Sequence, residues 1–356
     1  MHADKHLKWL EEKKLLEESK TTIPAIKRVF EKCLAAKDEH ILIITDQGFK
    51  NKRVAGMLSG SYYLAAKELG LTATIIIQDP KFRGEKASQD VLNAFYDLRK
   101  KSIVILSLSS KLGSIKDLGG SFRTYAKENQ HRFISSMSLG HLETEKFAFL
   151  INSIDVDYDK MREKGNALKK QLDNADEVHI TTKKGTDFIY NIKGKEAKVN
   201  TGDYTQPGKG GNLPAGEVYI APKWKHVEGT VIIDGSSSTR EGTQLCNEPI
   251  KLTIKKDEVI KVEGGVEAKK LESTLDWAYM KAKYPWGIRR VGELGIGINE
   301  RANIVGATIV DEKTLGTAHI GIGSNYWFGG TIYAIIHLDQ IFRNPKIELD
   351  GKEIKV

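Results

Sequence analysis

Three short apolar runs in the first half limit the fold more than any other feature. HILIITD (40–46), ATIIIQD (73–79) and SIVILSL (102–108) are β-branched and barely alternate, as strands covered on both faces do. RFISSMS (132–138) adds a fourth, more polar strand. Segments of helical period separate them, among them NKRVAGMLSGSYYLAAKELG (51–70) and SQDVLNAFYDLRKK (88–101), and YDKMREKGNALKKQLDNAD (158–176) closes the half. Such alternation implies a mostly parallel sheet with helices on its faces.

The texture changes near residue 177. EVHITTKKGTDFIYNIKGKEAKV (177–199) alternates and is broken by glycines, the pattern of antiparallel hairpins. GEVYIAP, GTVIIDG, IKLTIKKDEVIKVEGG and KIELDGKEIKV continue it, interrupted by one helix near EAKKLESTLDWAYMKAKY (267–284). The expected architecture is an α/β domain over 1–176 and a β-rich α+β domain over 177–356. A chain of 356 residues ordinarily builds two cores rather than one.

Composition narrows the function classes. The chain is 40% hydrophobic and 29% charged, an ordinary globular balance, and no apolar run reaches membrane-span length. The start is charged and helix-periodic rather than a signal peptide, so a cytoplasmic protein is expected. Two cysteines, Cys33 and Cys246, exclude a disulfide framework or a cysteine zinc site. The net charge of +8 is spread among interspersed lysines and glutamates, so no nucleic-acid footprint is expected. Neither GxGxxG nor GxxxxGK[ST] follows a strand, and no nucleotide cofactor is expected in the first half.

The chemistry concentrates near the C-terminus. GTAHIGIGSNYWFGGTIYAIIHLDQIF (316–342) places His319, Tyr326, His337 and Asp339 on an apolar, glycine-rich background. Burying such groups without partners costs about 2–7 kcal/mol each. Strand alternation puts His337 and Asp339 on one face, and Glu217 and Glu293 stand in comparably apolar strands, GEVYIAP and GELGIGIN. Two imidazoles and three carboxylates suit zinc, cobalt or manganese. Five ligands exceed one tetrahedral ion's needs, which points to a two-metal hydrolase.

GTDFIYNI, NLPAGEVYIAP, GELGIGIN, GTAHIGIGSNY and IIHLDQI, in this order, resemble the aminopeptidase T, aminopeptidase S and PepS family of metalloaminopeptidases from about residue 185 onward. The resemblance implies metal ligands at Glu217, Glu293, His319, His337 and Asp339, an active-site tyrosine at Tyr326, and a homodimer. On that reading a metal-activated water cleaves N-terminal residues from short peptides. Glu217 shuttles the proton and Tyr326 donates to the oxyanion. The interval from His319 to His337 is shorter than the family's. The same fold is shared with iron enzymes resembling 2,5-dihydroxypyridine dioxygenase, in which His319, His337 and Asp339 would hold one Fe(II). Retention of both Glu217 and Glu293 favours the peptidase, since a mononuclear site has no evident use for them.

Overall fold

The computed structural model describes residues 2–356 and divides into two compact units. The first runs up to Tyr158 and regains Gly202–Ala215; the second comprises Asp159–Thr201 and Gly216–Val356. In the first unit the β-branched runs become β1 (Ile41–Thr45), β2 (Ala73–Ile77), β3 (Ile103–Ser107) and β4 (Arg132–Ser136). Strands β1, β3 and β4 are buried along their whole length, which is why their sequences show no alternation. The linking segments form helices Val54–Glu68 and Gln89–Tyr96. Leu42, Val104, Leu106, Phe133, Val91 and Phe95 join one buried cluster between strands and helix.

The chain then makes β5 (Glu177–Thr181), β6 (Asp187–Asn191) and β7 (Lys198–Asn200) before returning to the first unit for β8 (Gly210–Asn212). Strand β8 pairs parallel to β4, giving the sheet order β2-β1-β3-β4-β8. Strand β9 (Glu217–Ile220) re-enters the second unit. There follow β10 (Val227–Ile233), β11 (Ser236–Thr239), β12 (Gly242–Leu245), β13 (Ile250–Lys255) and β14 (Glu258–Glu263). After helix Val266–Lys281 come β15 (Val291–Gly297), β16 (Thr317–Gly323), β17 (His337–Arg343), β18 (Lys346–Leu349) and β19 (Lys352–Ile354).

These strands make two seven-stranded antiparallel sheets, β14-β13-β10-β6-β5-β18-β19 and β12-β11-β17-β16-β15-β9-β7. A parallel α/β unit followed by an antiparallel β-rich unit is the fold class expected from the sequence. Among the described residues no helix is long and apolar enough to cross a membrane.

Candidate metal centre

Four neighbouring strands of the second sheet, β17-β16-β15-β9, carry all five residues singled out as ligands. Residues directly opposed across an antiparallel ladder share a face, and here each polar residue opposes a glycine. His319 faces Gly295, Glu293 and Asp339 face Gly321, Glu217 faces Gly297, and His337 faces Gly323. The glycines are what make room. A Cβ on Gly295 would lie 2.1 Å from the His319 ring, and one on Gly321 would lie 2.8 Å from His337 Cε1 and 2.9 Å from Glu293 Cβ. Real side chains do not tolerate such approaches.

The ligating atoms gather into two trios, Glu293–His337–Asp339 and Glu217–Glu312–His319, each within 4.8 Å. In the first, His337 Nε2 lies 3.1 Å from Asp339 Oδ1 and 3.3 Å from Glu293 Oε2. The other ring nitrogen, Nδ1, is 2.8 Å from the Ser324 carbonyl oxygen. A carbonyl only accepts, so Nδ1 carries the proton. The neutral ring then turns its Nε2 lone pair toward two carboxylate oxygens. Three acceptors pointed at one another require a cation between them, either a proton or a metal ion. The electrostatics agree. Burial disfavours the His337 imidazolium, but Asp339 and Glu293 override it and raise its pKa well above the ordinary value. Burial likewise opposes ionisation of Asp339 and Glu293, yet the two imidazoles hold both carboxyls below their usual range.

His319 belongs to the same problem. It is fully buried, and its Nε2 stands 3.5 Å from Glu293 Oε1 and 4.0 Å from Glu217 Oε2, distances too long for good hydrogen bonds. Neither of its ring nitrogens has a hydrogen-bond partner, nor does Asp339 Oδ1. Burial pulls the His319 pKa down, while Glu293, Asp339 and Glu217 lift it to about 9. Buried, unpartnered donor atoms of hard nitrogen and oxygen type suit a divalent cation.

The second trio is filled differently, by residues the sequence reading missed. Lys313 is fully buried, and its ammonium contacts Glu217 Oε1 and, at 2.5 Å, Glu312 Oε1. Burial pushes Glu312 up to about 8 against the pull of Lys313, and the two carboxylates outweigh burial to raise the Lys313 pKa. The loop bearing both residues is pinned by Asp311, which accepts from Ser236 Oγ and Val305 N, each at 2.7 Å. It presses against Gly297, where a Cβ would meet the Thr314 carbonyl oxygen at 2.2 Å.

Tyr326 departs from expectation. It is 68% exposed and its ring meets Tyr333. Among the described residues no hydrogen bond or ion pair ties it to the carboxylates and imidazoles. The aromatic at the cluster is its neighbour Trp327, whose ring stands edge-on to His337 with centroids 4.8 Å apart.

Residues 21–356 match the NicX family model, described as 2,5-dihydroxypyridine 5,6-dioxygenase. The chain belongs to this family. A curated relative, the 2,5-dihydroxypyridine 5,6-dioxygenase of Pseudomonas putida KT2440, is 26% identical over 194 residues. That alignment spans 53% of this chain and 55% of the relative, about half of each. The solved 2,5-dihydroxypyridine dioxygenase structure from the same organism superposes with a TM-score of 0.71 at 18% identity, covering 95% of this chain and 96% of that one. Wild-type AmpT from Thermus thermophilus gives 0.61 at 16% identity, covering 94% and 97%. Both structural likenesses are of fold. The family match overturns the expected aminopeptidase: it places the chain among dioxygenases rather than hydrolases. The error has a physical source. Glu217 was counted as surplus to a mononuclear site, but the structure gives it a buried lysine to neutralise.

Proposed function

We propose that this protein is a mononuclear Fe(II)-dependent dioxygenase that opens the ring of a small dihydroxylated N-heteroaromatic of the 2,5-dihydroxypyridine type. One contrast carries this reading. Glu293, His337 and Asp339 converge with uncommitted acceptor atoms, whereas Glu217 and Glu312 are compensated by Lys313. A single ion would be held by His337 and Asp339, with His319 and Glu293 adjoining. Two imidazoles and a carboxylate leave coordination positions open for dioxygen and substrate. When bound, iron supplies the electron chemistry that dioxygen requires.

The protein's own contribution is positioning. The Ser324 carbonyl fixes the His337 tautomer and ring plane, which sets the direction of Nε2. Asn325 ties down the following loop, donating through Nδ2 to Gly292 O at 2.8 Å and accepting from Ile332 N at 2.8 Å. That loop presents Trp327, 58% exposed beside His337, as an apolar wall on which a flat ring can stack. Lys313 balances the Glu217 carboxylate while burial keeps Glu312 protonated up to about pH 8, and the neighbouring trio is left with the negative charge that attracts a cation.

The test is anaerobic purification, iron determination per chain, and oxygen-electrode measurements with 2,5-dihydroxypyridine. About one iron per chain, with oxygen consumed mole for mole with substrate, is the expected result. Two tightly bound divalent ions per chain, or no oxygen uptake from the iron-loaded protein with any hydroxypyridine or dihydroxybenzene, would sink the proposal.

A further inference from the structure

A second site lies wholly within the first unit, at the carboxyl end of the parallel sheet, where open α/β sheets place their ligand crevices. It is a cavity of about 410 Å³, within the range of small-molecule sites. Leu106 on β3 and Phe133 and Ser135 on β4 form its floor, sharing a sheet face because Leu106 pairs with Ser135 and Val104 with Phe133. Phe82 and Phe122 add two more aromatic rings and Met137 a flexible thioether.

One wall is a ribbon made by the loops after β2 and β3. Lys111 N donates to Lys81 O at 2.9 Å and Ser114 N to Glu85 O at 2.8 Å. Behind the ribbon, the Gln78 side chain donates to Leu112 O at 3.0 Å and accepts from Ser88 N at 3.1 Å. The cavity is therefore a built feature rather than a gap between loose loops.

Its lining is mostly basic. Lys111 and Arg123 line it together with Arg83, which has an interaction of its own, and one acid, Glu85, and the Glu85 carboxylate already accepts from Phe82 N at 2.5 Å. The Arg123 guanidinium stands 5.7 Å from the Phe133 ring centroid, at the border between floor and rim. Burial of the ammonium, and then the charge of Arg83, lower the Lys111 pKa, and an anion beside it would offset both effects.

We infer that this cavity binds an aryl carboxylate, its flat ring on the Phe133 floor and its carboxylate between Lys111 and Arg123. Aromatic lining selects the ring, and charge-assisted hydrogen bonds select the anion. The inference is independent of the metal centre and of the reaction proposed there.

Calorimetric titration of the full iron-loaded chain with 2-naphthoate tests it, with 2-naphthylmethanol as neutral isostere and decanoate as an alkyl acid. The expected result is one site with a Kd on the order of 0.1 mM, roughly tenfold weaker binding of the other two probes, and unchanged naphthoate binding after chelation of the metal. The double variant K111E/R123E, altered only at exposed positions, should weaken naphthoate binding at least about tenfold. In methyl-labelled protein the Met137 signal should shift on titration. Equal binding of the neutral isostere or of decanoate, loss of binding on chelation, or an unmoved Met137 methyl would each overturn the assignment.

Discussion

The two trios on the β17-β16-β15-β9 face have nearly the same composition and opposite electrostatic fates. Around Glu217 and Glu312 the cation is covalently part of the chain, the buried ammonium of Lys313. Around Glu293, His337 and Asp339 no lysine or arginine makes a direct ion pair among the described residues, Lys313 acting on Asp339 only at a distance, and acceptors face acceptors at 3.1 and 3.3 Å. Under the proposed function such a site takes one ion beside one lysine rather than two ions. Ligand-type residues therefore cannot be counted toward metal stoichiometry until the buried cations have been placed.

The largest effect should come from the open trio. Asp339→Asn keeps size but removes the charge, and should abolish tight iron binding and lower kcat by about a thousandfold or more; iron determination and oxygen uptake read it. Lys313→Met strikes the closed trio and should destabilise the protein by about 3–5 kcal/mol, the cost of stranding buried charge. If the two trios are interchangeable in kind, added divalent metal will restore its melting temperature and raise the bound metal above that of the parent. Gly321→Ala intrudes on His337 and Glu293 and Gly295→Ala on His319. The first should weaken iron about 10–100-fold, and an equal loss in the second would make His319 a full ligand. Trp327→Leu should raise KM roughly fivefold or more with a smaller change in kcat, the worth of about 1 kcal/mol of aromatic stacking. The smallest effect is spectroscopic. In metal-free protein followed by NMR, His319 should hold its second proton until pH approaches about 9. His131, whose pKa burial lowers to about 4 against the influence of the Ser102 backbone, should stay neutral down to pH 5. The signs oppose: the raised His319 contributes stability below the unfolded value near 6.5 that is lost as pH rises through 9. His131 contributes stability above it that is lost as pH falls toward 4.

Much of this was legible in the sequence. The unalternating runs became β1 and β3, covered on both faces as strands that need no polar side are, and β2, the sheet edge, which is only partly buried. His319, His337 and Asp339 stood out because polar groups on an apolar, glycine-rich strand demand partners. Glu312 and Lys313 did not. DEKTLG has the composition of a solvated turn, and only the folded loop, held by Asp311 against Gly297, shows it turned inward. Tyr326 stood out for its hydroxyl on an apolar background, and Trp327 carried no such signal. A residue in a glycine-bounded turn has no period from which its direction could be read, and Tyr326 points to solvent. The choice of reaction failed in part with Lys313, since Glu217, one of the two surplus carboxylates that favoured a hydrolase, is surplus only without it.

The glycines that oppose the polar residues carry one more implication. Gly295, Gly297 and Gly321 offer no side chain to a core, and the volume above them is occupied by imidazole rings, a carboxylate side chain and the backbone of the Lys313–Thr314 loop. A descendant that discarded the metal could not convert this surface into ordinary packing by exchanging its ligands alone. Apolar replacements for the ligands would have to fill the same narrow slots, while larger residues at the glycines would collide before any ligand was lost. In a saturation mutagenesis experiment the least replaceable positions of this sheet should thus include its smallest residues, and tolerance there should stay low even in selections that demand folding but no activity.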